Sequence, residues 1–297
     1  MKATFAAKTV AAALLATAAA FPAHAGLFNH SHPKAQATAQ VDDATIQAIE
    51  RAIDEQRLLD AGRLLDAAFL TGSKDPRLGL LAGELSLAHS RYADALAQFT
   101  LVESAPQTKA KALEDEGISL SMLGRSGEAI AKLQSAVAED PTAWRAWNAL
   151  GSEYDNRRDW TRAEAAYDHA MVNSDGAAAV LNNRGFSRLL QNRLTDATAD
   201  FVAALEKKPD LVSARTNLRL AMALKGEYDR ATAAGANDDQ PSLLNNAGFA
   251  AMMRGDYTKA QDLFNQAIAA KGRYYEVASE NLTLARSLAA EQKSDPK

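Results

Sequence analysis

Gly83, Gly117, Gly151 and Gly185 follow one another at intervals of 34 residues. A chain that keeps such a period stacks like units along one axis instead of closing a single core, because each unit touches only its neighbours. A second series, Ala61, Ala95, Ala129, Ala163, Ala197 and Ala231, keeps the same interval, and its last member, Ala260, comes 29 residues on. Arg219 stands where the next glycine is due, and Gly248 follows it by the same 29. One unit is therefore short. The grid predicts units at 42–75, 76–109, 110–143, 144–177, 178–211, a short 212–240 and 241–274, then a cap helix over 275–292 and a tail at 293–297.

Each unit reads as helix, tight turn, helix. Turn segments such as "LGRSGE" (123–128) and "MRGDY" (253–257) separate the glycine from the alanine, and apolar residues recur at three- and four-residue spacing on both flanks. Pro141 and Pro209 close units where a helix must stop. A mid-helix glycine costs about 1 kcal/mol against alanine, so its periodic return implies a packing gain. The large residues four after each alanine, Phe99, Leu133, Tyr167, Phe201 and Phe264, are expected to supply it. In the short unit the second helix is expected from about Tyr228 to Ala234, ending at Gly235 and leaving Leu205 and Leu263 exposed beside a gap.

"WNALGSEY" (147–154), followed by Ala163, Tyr167 and the 34-residue period, resembles the tetratricopeptide repeat, with Tyr in place of its Phe. The resemblance covers 42 to about 292. It implies an all-α, right-handed α-solenoid of about seven repeats with a C-terminal cap helix, whose first helices line a concave groove. It further implies a scaffold or peptide binder, not a catalyst. The stretch "ARTNLRLAMALKGEYDRA" (214–231) resembles TadD-like proteins of the tight-adherence (Flp) pilus system, which are commonly lipoproteins, whereas this chain contains no cysteine to acylate. That resemblance implies a protein or peptide partner among pilus or secretin components. The alternative is a chaperone-like binder of extended exported peptides, or another envelope-biogenesis adaptor.

"LNNRGF" (181–186) returns as "LNNAGF" (244–249). Counted from the glycine position, one row holds Asn148, Asn182, Thr216 and Asn245, and the next holds Ala149, Asn183, Asn217 and Asn246. An amide both donates and accepts, so such rows can hold an extended peptide backbone. They can equally bond a neighbouring helix. Phe186 and Phe249 follow the glycines, and Leu189, Leu190, Met252 and Met253 lie further on, one half-face for the groove and one for the core. The expected partner-binding set is Asn148, Asn182, Asn183, Phe186, Asn217, Asn245, Asn246 and Phe249. The acidic residues of the first units, Asp43, Glu50, Asp54, Glu84, Glu114 and Asp115, read mostly as solvated helix faces interrupted by Arg77 and Lys111. No Lys, Asn and Arg set for clamping a C-terminal carboxylate can be placed. Trp147 matches the core Trp of the repeat, and Trp144 and Trp160 read as packing between units.

The 33 basic and 37 acidic residues, net −4, form no basic stripe, which argues against a nucleic-acid partner. No phosphate loop, HExxH or nucleophile elbow occurs, and His30, His32, His89 and His169 have no partner spacing for a triad or metal. Neither an enzyme nor a cofactor is expected. Lys2 and Lys8, the apolar run from Thr9 to Phe21 and Ala23-His24-Ala25 read as a signal peptide (1–25) cut before Gly26, followed by a flexible leader (26–41). No later run reaches the ~20 apolar residues of a membrane helix. The expectation is an exported, periplasmic protein without an integral membrane span, soluble once cleaved, with peripheral attachment to the outer membrane left open. Oligomeric state is not encoded in any feature of the sequence.

Overall fold

The structure, a computed structural model, describes residues 41–235, 238–272 and 275–294. The signal peptide and all of the leader before Val41 lie outside the described residues. What is described is helical throughout. Seven helix pairs follow in order: α1 (Asp43–Asp54) with α2 (Leu58–Leu70), α3 (Pro76–Ala88) with α4 (Tyr92–Val102), α5 (Lys109–Met122) with α6 (Ser126–Glu139), α7 (Trp144–Asn156) with α8 (Trp160–Asn173), α9 (Ala178–Leu190) with α10 (Leu194–Lys207), α11 (Val212–Lys225) with α12 (Tyr228–Thr232), and α13 (Gln240–Met253) with α14 (Tyr257–Lys271). A single helix, α15 (Glu276–Ser294), closes the stack.

The turn inside each pair has one geometry. Gln56, Ser90, Gly124, Arg158, Asn192, Gly226 and Gly255 all sit at φ between 57° and 88°, at the same phase of the repeat. The N–H of the following residue returns to a carbonyl five residues back, as in Arg57 to Ala52, Arg125 to Leu120 and Asp256 to Ala251. That left-handed residue and its six-to-one hydrogen bond end each first helix while satisfying its last carbonyls.

Within a pair the glycine of the first helix receives the large residue of the second. A Cβ built on Gly151 would lie 2.6 Å from the Tyr167 ring, one on Gly185 2.8 Å from Phe201, one on Gly248 2.7 Å from Phe264 and one on Gly117 2.5 Å from Leu133, and Gly83 stands the same way against Phe99. All five large residues are fully buried. The cost of a helical glycine is thus offset by an aromatic or leucine side chain lying where a Cβ would be.

First helices of successive pairs pack backbone to backbone (α1 on α3, α3 on α5, α5 on α7, α7 on α9, α9 on α11, α11 on α13), whereas the backbones of successive second helices stay apart and meet only through long side chains such as Lys259 over the Tyr228 ring. The stack is therefore tighter on the side of the first helices, which makes that side the inner face.

The short unit departs from its expectation in two respects. Its second helix ends at Thr232, with Ala233 already extended (ψ 110°), so it has a single turn. The gap beside it is filled. Arg219, in the glycine position, points its guanidinium at Asp238, with Nη2 and Oδ2 2.6 Å apart, and donates to the carbonyl of Ala233. Asp238 in turn accepts from the backbone N–H of Gly235 at 2.6 Å. Gly235, four after Ala231, lies past the end of α12, and a Cβ built there would meet only Asp238 Oδ2 at 3.2 Å. Leu263 is buried in the core cluster with Leu244 and Phe264, and Leu205 is half-buried against Leu181, Ala204 and Ala214, so neither is exposed as the sequence suggests.

Candidate functional site

The inner face divides into a charged half on α3, α5 and α7 and an amide and apolar half on α9, α11 and α13. In the charged half, Lys111 Nζ lies 2.7 Å from Asp115, 2.9 Å from Glu114 and 3.5 Å from Glu84, and Arg145 lies 3.6 Å from both Glu114 and Asp115. Glu114 and Asp115 are buried, which corrects their reading as solvated charges. Their burial follows from the same register that places asparagines in later units: these positions face the next first helix. Glu114 Oε2 accepts from the N–H of Ala146 at 3.2 Å, so a carboxylate of one unit caps the start of α7, whose own N-cap residue is Ala143. Burial pushes the Asp115 and Glu84 carboxyls up from their ordinary values. Asp43, Glu50 and Asp54 are exposed, as expected.

Two more carboxylates cross between units without a cation. Asp155 accepts from Ser187 Oγ at 2.6 Å and from Tyr167 Oη at 2.8 Å, and Glu153 accepts from Ser121. Burial raises the Asp155 carboxyl. Each bonds a neighbouring helix, so α7 is tied to α5 on one side and α9 on the other.

In the amide half the asparagines bond one another. Asn217 donates to Asn182 (3.1 Å), Asn182 to Asn183 (3.2 Å) and Asn183 to Asn148 (3.2 Å). Two links run diagonally, from the second row of one unit to the first row of the unit before it, and the third joins the two rows within one unit, where the sequence suggested two parallel ladders. Asn182 and Asn245 are 9% and 8% exposed, Asn148, Asn183 and Asn217 are half-buried, and Asn246 is exposed. Asn281 of α15 donates to Asn245 at 3.1 Å and belongs to the same series. Asn281 lies 36 residues after Asn245, one position out of register with the second row, so the 34-residue interval does not point to it.

One turn beyond the amides lie Phe186 (40% exposed), half-buried Leu220 and Phe249 (37% exposed). A further turn on, Leu190 and Met253 are exposed, while Leu189 and Met252 turn inward and pack in the core clusters. The half-face split is thus resolved residue by residue. Trp147 is half-buried, stacked on His169 at 4.4 Å with its Nε1 donating to the carbonyl of Pro141. It braces α7 against α8 from the edge of the core. Among the described residues no group of three or more His, Asp or Glu is placed to hold a metal ion, and no helix is long and apolar enough to cross a membrane.

Among solved structures, a tetratricopeptide repeat protein from Parabacteroides merdae is 17% identical, with a TM-score of 0.52 over 82% of this chain and 98% of that chain. The APC/C hetero-tetramer Cut9-Hcn1 contains a chain 14% identical, with a TM-score of 0.63 over 82% of this chain and 49% of that chain. The chain has the tetratricopeptide-repeat fold. In sequence, Superkiller complex protein 3 of Mus musculus is 30% identical over 154 residues, 51% of this chain and 10% of that protein. Protein FlbA of Caulobacter vibrioides is 27% identical over 236 residues, 65% of this chain and 39% of that protein. The chain thus spans a small part of the first relative and about two fifths of the second. No family model matches the chain.

Proposed function

We propose that this chain is a non-catalytic scaffold that holds an extended segment of a protein partner against the inner face of α9, α11 and α13. The observation that carries this reading is the exposed apolar row, Phe186 and Phe249 with Leu190 and Met253, running beside the amide row on a face that nothing else among the described residues covers. Both phenylalanines are left about two fifths open, and apolar residues exposed in a row instead of singly mark a surface for a partner. Covering what remains exposed contributes about 1 kcal/mol for each ring. Asn148, Asn183, Asn217 and Asn246 offer hydrogen bonds to the segment, and the buried Asn182 and Asn245 hold the row in place. A chain of the same fold stands in the Cut9-Hcn1 hetero-tetramer, which supports a scaffold role.

The partner we propose is a component of an envelope assembly machine of the tight-adherence pilus or secretin kind, met in the periplasm after signal-peptide cleavage. The support is the sequence resemblance over 214–231 and the signal-like N-terminus. The test compares affinity capture from periplasm by the parent and by a Phe186→Asp/Phe249→Asp variant of equal melting temperature. Loss of one pilus or secretin component from the variant is expected. Equal capture by both would remove the groove from the interaction, and capture of unrelated envelope proteins only would remove the pilus assignment.

A further inference from the structure

The outer side of α2 carries a stripe that its own chain leaves unused. Leu59, Arg63, Asp66 and Leu70 follow at intervals of four, three and four residues, which sets them on one seam of the helix. The buried residues of α2, Ala61, Leu65 and Ala68, lie on the opposite side. Leu59 and Leu70 are 84% and 88% exposed, more than any other large apolar side chain among the described residues. The Arg63 side chain is exposed while touching Asp60 of its own turn, and Asp66, also exposed, has no cationic partner among the described residues. The backbone of α2 packs on α1 and α3 alone. Gly62, beside the stripe, differs from the periodic glycines in that no large residue of its own chain takes the place of its missing Cβ.

The stripe is its own complement. Both its residue types and its spacing read the same when a second copy is laid against it end for end: Leu59 then meets Leu70, and Arg63 meets Asp66, each twice, about an axis between Leu64 and Leu65. Gly62 and Ala67 exchange about the same axis and let the two backbones approach. A parallel pairing would instead set Arg63 on Arg63 and Asp66 on Asp66. We infer that the chain forms a two-fold dimer through antiparallel α2 helices, with leucine pairs closing both ends of the seam over two central Arg63–Asp66 ion pairs. The stripe asks for a partner with a carboxylate opposite Arg63, a cation opposite Asp66 and an apolar residue at either end, and α2 itself meets all of these conditions. One short helix from each copy makes a small interface, which places the association in the weak, concentration-dependent class. The seam takes nothing from α9, α11 and α13, so the dimer is independent of what the inner face binds, and it gives a scaffold two binding faces in one particle.

Sedimentation of the full chain over a concentration series tests this, with the melting temperature of each variant as the check on folding. The parent is expected to show a reversible monomer–dimer equilibrium. Arg63→Asp opposes carboxylates across the axis and Asp66→Arg opposes guanidinium groups, so each variant alone should associate roughly tenfold more weakly or worse. An equimolar mixture of the two restores opposite charges at both central positions and is expected to form a heterodimer with about the parent's affinity. Because the chain contains no cysteine, Leu59→Cys and Leu70→Cys give a second reading: oxidation should cross-link a mixture of the two and neither variant alone. A parent that sediments as a monomer throughout, charge variants that associate as the parent does, or a mixture that stays monomeric overturns the inference. Cross-linking of Leu59→Cys with itself overturns the antiparallel pairing.

Discussion

Gly62 and Gly151 are both helical glycines, and their surroundings give substitution opposite signs. A Cβ on Gly62 has only Leu85 Cδ2 at 3.9 Å, an ordinary contact, while one on Gly151 would sit 2.6 Å from the Tyr167 ring. Gly62→Ala is therefore expected to stabilise the chain by about 1 kcal/mol through helix propensity alone. Gly151→Ala should destabilise it by about 1–3 kcal/mol through overpacking. Chemical denaturation of both variants checks this, and equal effects would mean that the periodic glycines do not serve the close approach of the second helix.

The Arg219–Asp238 ion pair closes the loop that follows the short α12. The Arg219 guanidinium, helped by the Gly235 N–H, holds the Asp238 carboxyl down to about 2. Its unfolded-state value is about 3.9. A group whose folded pKa is depressed stabilises the fold above its unfolded pKa and ceases to do so as pH falls through the folded one. Asp238→Asn should thus melt below the parent at pH 7, and the difference between the two should close as pH falls from about 4 towards 2. A gap in melting temperature that stays constant over that range would show that the loop is held by something other than Arg219.

Because every helix packs only within its own unit or against an adjacent one, each unit is held only by its neighbours, and stability is close to a sum of unit and interface contributions. The weakest link is the unit whose second helix is α12, five residues against 11 to 15 in the other second helices. Native-state hydrogen exchange should show α12 opening before α8, α10 and α14, together with fraying at α1 and α15. Uniform protection along the chain would instead mean that the stack unfolds as one cooperative body.

The period, the helix pairs and the partners of the glycines are legible in the sequence because they follow from rules that act within one unit: apolar spacing, backbone sterics and the size of the residue four after each alanine. The shared left-handed turn was less visible, since only Gly124, Gly226 and Gly255 advertise it and Gln56, Ser90, Arg158 and Asn192 adopt it under the pull of the same hydrogen bonds. What "LNN" faces was not legible at all. Whether an amide or a carboxylate at that position meets water, a ligand or another helix depends on a side chain some 35 residues away and on the angle at which two units stack. The tertiary structure therefore decided that Glu114 and Asp115 are buried, that Asn182 bonds Asn183 and Asn217, and that Arg219 fills the place of lost helical turns, because a polar group's fate is set by which partner reaches it and not by its own position in the repeat.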